Sequence, residues 1–190
     1  MVAKAKKHIE WLTIAVSITI TTVTICYILR PDLLNPRIAF SSLGAFAPTA
    51  NIFTTGFVLA ALFVFADAVS TKNLYQKICR IVAALGYAGL GVFRIEHGEP
   101  IGNYHRLSGL IMMLAVVASM LGHLITEFSK LKNYRKWLYS SFMLLALTSI
   151  TMSILSSSLV KVMSLQGLAQ YMGLISLIGW AMLDARKSTT

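Results

Sequence analysis

Apolar side chains run along this chain in six blocks, at residues 11–29, 51–69, 78–93, 107–125, 137–155 and 165–183, each 16 to 19 residues long. Short clusters of charge, proline and glycine separate them. A hydrocarbon core about 30 Å thick is crossed by roughly 20 apolar residues of helix, and a helix satisfies its own backbone polar groups where water is absent. The pattern therefore predicts an all-α fold, an integral membrane bundle of six transmembrane helices. Short connections make sequence neighbours antiparallel, in a single polytopic domain over residues 1–190.

Composition agrees. With 56% hydrophobic and 13% charged residues and a mean hydropathy of +0.71, the chain has too little polar surface to cover a water-soluble globule of 190 residues. The net charge of +10 changes the picture only through its placement. Twelve basic residues fall on one side of the predicted bundle: Lys4, Lys6, Lys7, Lys72, Lys77, Arg80, Lys130, Lys132, Arg135, Lys136, Arg186 and Lys187. Five fall on the other: Arg30, Arg37, Arg94, Arg106 and Lys161. The positive-inside bias predicts a multi-pass protein of the cell membrane with both termini cytoplasmic. The charges stand at the predicted helix ends, so membrane lipids, not nucleic acid, are the expected partners. The first block follows three lysines as a signal peptide would, but its apolar run is longer and no A-x-A-like site closes it, so it is expected to stay as a span. Cys26 and Cys79 fall at opposite depths, which argues against a disulfide between them.

Polar residues inside the blocks come next. Span one carries Thr13, Ser17, Thr19, Thr21, Thr22 and Thr24, hydroxyls that either line a groove or bond back to their own helix. The apolar, proline-interrupted loop over residues 30–50 suits a re-entrant or interfacial cover for the outer mouth of the bundle. Ala84, Ala88 and Gly91 put small residues on one face of span three, and Ala169 and Gly173 do so on span six. Such faces permit close helix approach. Gln166 and Gln170 share a face near the outer end of span six. Trp11, Trp137 and Trp180 fall near cytoplasmic boundaries, where indoles favour the headgroup level. Asp67, Arg80, His123 and Glu127 share an inner depth and are predicted to form a polar cluster, read either as a helix-tying ion pair or as a proton relay or binding site.

The candidate chemistry concentrates in residues 91–109, GVFRIEHGEPIGNYHRLSG, the polar stretch between spans three and four. Arg94, Glu96, His97, Glu99, His105 and Arg106 make it the densest ionisable cluster on the outer side. His105, His97, Glu96 and Glu99 are the catalytic candidates: a histidine positioned by a carboxylate can activate water or a hydroxyl, with Ser41, Ser42 or Ser108 as a nucleophile. A second reading needs no chemistry, with Arg94 and Arg106 holding a phosphate. A solvated loop of locally paired charges remains open beside both. His97 and His105 with seven residues between them match no standard metal spacing, so no metal is assigned. His105 and His123 stand 18 residues apart, about 27 Å along one helix, too far to ligate one haem, and no cofactor is assigned.

Ser42-Leu43-Gly44, Pro48 and Asn51-Ile52-Phe53 lead into span two; Gly89-Leu90-Gly91-Val92-Phe93, a short polar loop and His105 lead into span four. This pattern resembles the six-helix membrane family catalogued as domain of unknown function 998, which is similar to the Frag/DRAM superfamily. The resemblance covers roughly spans one to six and singles out Pro48, Asn51, Gly91, Phe93 and His105. Arg94 stands where the family commonly has proline. Since the wider superfamily includes proteins linked to remodelling of lipid-anchored glycans and to membrane lipid organisation, the resemblance implies a lipid-facing role.

Two functions follow as expectations. The first is an outer-face site that recognises or modifies a lipid or glycolipid headgroup through Arg94, His105, Arg106, Pro48 and Asn51. The second is a non-catalytic structural or accessory subunit packed against partner membrane subunits. A transporter finds less support, because intramembrane charges are few and no repeat of halves is evident.

Overall fold

The computed structural model describes residues 2–35, 38–93, 100–158 and 166–185, with side chains described for these except 2–10, 127, 130, 156–158, 184 and 185. The described residues form six α-helices and no strand: α1 (Val2–Leu29), α2 (Thr49–Ser70), α3 (Leu74–Val92), α4 (Ile101–Glu127), α5 (Asn133–Ser158) and α6 (Gln166–Ala185). Four are long and apolar enough to cross a membrane, at Trp11–Leu29, Thr49–Ser70, Ile101–Thr126 and Asn133–Leu155, compatible with a multi-pass membrane protein. α3 and α6 carry their polar residues inside the helix, Lys77 and Arg80 in one and Gln166 and Gln170 in the other.

The first five helices begin earlier than the apolar blocks do. α4 starts at Ile101 behind Pro100, whose carbonyl accepts from Asn103 N at 3.0 Å, six residues before the expected 107. α3 starts at Leu74 because the Asn73 side chain accepts from Gln76 N at 3.1 Å. Caps set these boundaries, and a helix runs on through polar residues that an apolar window leaves out.

Every adjacent pair is antiparallel. Trp11 stacks on Phe63 while Thr22 meets Gly56, Asp67 pairs with Arg80 while Phe57 meets Tyr87, and Tyr75 reaches Ala118 while Gly89 meets Ser108. His123 faces Tyr139 between α4 and α5, Ser149 reaches Ala169 and Ser176 reaches Phe142 between α5 and α6, and Tyr27 hydrogen-bonds Tyr171 to close α6 onto α1. Large apolar side chains such as Leu62, Leu85 and Leu144 are exposed outside this bundle, as a hydrocarbon-facing surface requires.

Glycine decides the closest packing. A Cβ at Gly86 would lie 2.8 Å from both Met112 N and Ser108 O, and Gly89 abuts the Ser108 side chain. These two glycines, rather than the Ala84, Ala88 and Gly91 face, make the α3–α4 contact, while Gly91 packs on α2 at Thr54 and Val58. The 30–50 loop folds into the bundle. Its two 3-10 turns, Pro31–Leu33 and Phe40–Gly44, bury Leu43 completely and set Phe40 within ring contact of Phe57 (6.4 Å) and Tyr171 (6.5 Å). The fully buried Thr49 hydroxyl ties loop to helix at Leu43 O (2.5 Å) and Phe46 O (2.9 Å). Thr19 donates back to Ala15 O at 2.9 Å, the ordinary use of a helical hydroxyl. Trp180 is 3% exposed, packed inside the bundle. Cys26 and Cys79 are buried free thiols.

Gly86→Val should therefore destabilise the fold by about 1–3 kcal/mol, because the neighbouring atoms are backbone and cannot step aside. Gly109→Ala, whose Cβ meets only Leu90 Cδ2 at 3.3 Å, should change little. Thermal unfolding of both variants in detergent micelles checks the contrast.

Candidate functional site

The end of the bundle holding His105 is assembled by the chain segments flanking α3 and α4. Gly86 and Gly89 let the two backbones close, which brings the final carbonyl of α3 against the second turn of α4. Phe93 O there lies 2.6 Å from His105 Nδ1. A carbonyl only accepts, so Nδ1 carries the proton, and in the neutral ring Nε2 is a bare acceptor. His105 is 4% exposed, and Nε2 has no hydrogen-bond partner among the described residues. Buried polar atoms are nearly always paired, so this atom calls for an explanation.

His105 lines a cavity of about 480 Å³, within the range of about 300–1,000 Å³ typical of small-molecule sites. All six helices and the 30–50 loop contribute to its wall. Most of its polar side chains come from segments near one end of the bundle, His105 and Arg106 from α4, Ser41 and Ser42 from the loop, Gln166 and Gln170 from α6, Ser149 and Ser153 from α5, while Thr19 of α1 and Tyr87 of α3 add hydroxyls deeper along the wall. Phe53, Phe57, Leu110, Met112, Met113, Leu174 and Leu177 supply an apolar wall. Gln170 fastens the loop over this space, Oε1 accepting from Ser41 N at 3.1 Å and Nε2 donating to Ser41 Oγ at 3.2 Å. Among the described residues no acidic side chain lines the cavity.

The predicted outer-site residues separate into three groups. His105 and Arg106 line the cavity. Pro48 and Asn51 are exposed at the start of α2, outside the lining. Arg94, Glu96, His97 and Glu99 lie outside the described residues. Arg30, at the same end, makes a bidentate pair with Asp32 (2.8 and 2.7 Å) and lies over the Phe46 ring at 5.2 Å. Hydrogen bonding to Arg30 holds the exposed Asp32 carboxyl below its ordinary range. Ser149 and Ser153 were missed by the sequence reading. Their spacing of four, one helix face, was the available signal, but hydroxyls are common on every helix here.

At the opposite end, Arg80 donates through Nη1 to Asp67 Oδ2 and to Thr71 Oγ1 (3.1 Å), with its guanidinium 5.8 Å from the Trp180 ring centroid. Asp67 is fully buried and Arg80 8% exposed. Beside them Gln76 and Ser119 join α3 to α4 by Nε2 to Ser119 O (2.9 Å) and Ser119 Oγ to Oε1 (2.5 Å). The His123 ring lies 5.3 Å from that of Tyr139, and the Glu127 side chain lies outside the described residues. Arg80→Met should destabilise by about 3–5 kcal/mol, because it removes a counter-charge from the buried Asp67, whereas Asp67→Leu with Arg80→Met should cost much less. Unfolding midpoints of the single and double variants decide this.

The residues that carried the family pattern converge on the His105 end: Leu43 buried, Gly44 against the Phe53 ring, Gly89 against Ser108, and Phe93 O on His105. No curated protein and no solved structure matches the chain. The family model described as protein of unknown function (DUF998) matches residues 13–187, and the chain belongs to that family.

Proposed function

We propose that this protein is a lipid-binding protein of the cell membrane, crossing the bilayer with all six helices and keeping both termini in the cytoplasm. The charge asymmetry supports the orientation, with basic residues gathered at the Arg80 end. The observation that carries the functional reading is the cavity of about 480 Å³ lined by His105, Arg106 and a wall of apolar side chains. Polar groups near the His105 end and an apolar wall suit a molecule with a polar head and an apolar body. A lipid or glycolipid headgroup is the ligand of that description most abundant around such a site. Its polar end meets His105 and Arg106, and its apolar part lies along Leu110, Met113 and Leu174. A lipid entering this space exchanges bilayer for protein surroundings, so apolar contact alone gives little net attraction and the polar groups set selectivity.

Ser153→Phe tests the reading by filling the cavity from α5. Native mass spectrometry of the purified protein should find lipid adducts on the wild type and at least about a tenfold loss of them on the variant, the equivalent of about 1.4 kcal/mol. Equal adducts on both would place the lipid elsewhere. A wild type that carries no lipid but retains a partner chain would favour the accessory-subunit alternative.

A further inference from the structure

A lipid reaches a cavity walled by six helices only through a gap in that wall, and the seams between the helices differ; this inference rests on the lipid-binding reading. Toward the His105 end, α1 closes on α2 where Thr22 meets Gly56, α2 on α3 where Gly91 meets Thr54 and Val58, and α3 on α4 where Gly89 meets Ser108. Ser149 Oγ donates to Ala169 O at 2.6 Å between α5 and α6, Tyr27 hydrogen-bonds Tyr171 between α6 and α1, and Gln170 holds the 30–50 loop. The seam between α4 and α5 is built differently. Its ring contact, His123 against Tyr139, lies at the Arg80 end. Toward the His105 end, Leu107 of α4 and Ile154 of α5 line the cavity and are also 51% and 48% exposed on the outside of the bundle. Both belong to stretches apolar enough to cross a membrane, Ile101–Thr126 and Asn133–Leu155. From Leu107 the α4 lining continues through Leu110 to Met113, which meets Gly173 of α6. An acyl chain that crosses water on its way in forfeits the burial of each methylene, a factor of about four in equilibrium apiece, and one that comes from hydrocarbon forfeits none. We propose that the cavity opens sideways into the bilayer between α4 and α5, and that its ligand is a phospholipid of the surrounding leaflet, which passes an acyl chain between Leu107 and Ile154.

The test uses the full chain carrying unlabelled phosphatidylcholine, reconstituted into vesicles of deuterated phosphatidylcholine and sampled over time by native mass spectrometry. Leu107→Trp with Ile154→Trp, at exposed positions that tolerate bulk, should slow the exchange of bound lipid by at least about tenfold, equivalent to about 1.4 kcal/mol of barrier, and reach the same final occupancy as the wild type. Leu62→Trp with Leu85→Trp, exposed and outside the cavity lining, should exchange at the wild-type rate. Exchange by the seam pair at the wild-type rate overturns the proposal. Loss of final occupancy in that pair overturns it too, since the two side chains then belong to the binding space and not to its entrance. Slowing by Ser42→Trp and not by the seam pair moves the entrance to the 30–50 loop. One arm needs no variant to fold: phosphatidylcholine with a diazirine in mid-chain should label Leu107, Ile154 and Leu174 of the wild type, and label on Leu174 without the other two overturns the sideways route. All of these outcomes leave lipid binding standing. A wild type that carries no lipid at the start overturns both this inference and the lipid-binding function.

Discussion

Where α3 meets α4, the two helices approach so closely that a single added carbon would touch main-chain atoms at Gly86 and the Ser108 side chain at Gly89, and the rest of the His105 end inherits its geometry from that approach. In a bilayer there is little hydrophobic gain from pressing one apolar helix against another, so small residues and polar contacts hold helices together. Here both operate on one pair of helices. The glycines bring the backbones together, Gln76 and Ser119 fasten one end, and the Phe93 carbonyl on His105 fastens the other. A terminal helix carbonyl, otherwise one of four left without an intrahelical partner, is satisfied by the same contact that fixes the imidazole tautomer.

The two ends of the bundle treat their polar residues differently. At the Arg80 end the charges are consumed internally: Asp67 and Arg80 pair in the core, Thr71 adds a second acceptor, and Trp180 covers the guanidinium. Such an arrangement ties α2, α3 and α6 together and suits a structural role. At the His105 end His105, Arg106 and several hydroxyls line a cavity instead. The 30–50 loop belongs to this end as a wall held by Gln170 and Thr49, which joins α1 and α2 to α6 through side chains far apart in sequence.

Several features were legible before any coordinates. The six helices follow from apolar blocks, and the meeting of Asp67 and Arg80 from the inner depth shared by the predicted cluster of Asp67, Arg80, His123 and Glu127, although which of its members pair was not legible. Reading the glycines was harder. Ala84, Ala88 and Gly91 form an equally good small-residue face on paper, and only the partner's surface tells which face is used. Trp180 shows the same limit: the sequence places it near a helix end, and only the structure shows it buried beside the Arg80 guanidinium.

By itself the sequence determined the helical class, the membrane character, the family and the residue types available at each end, because hydropathy and short motifs are local properties written one position at a time. Only the tertiary structure decided that His105 spends Nδ1 on Phe93, that Ser153 and Gln170 share a cavity with it, and that Pro48 and Asn51 stand outside. Those facts depend on which faces of six helices meet. Helix faces rotate by about 100° per residue. Their pairing is settled by shape between segments distant along the chain.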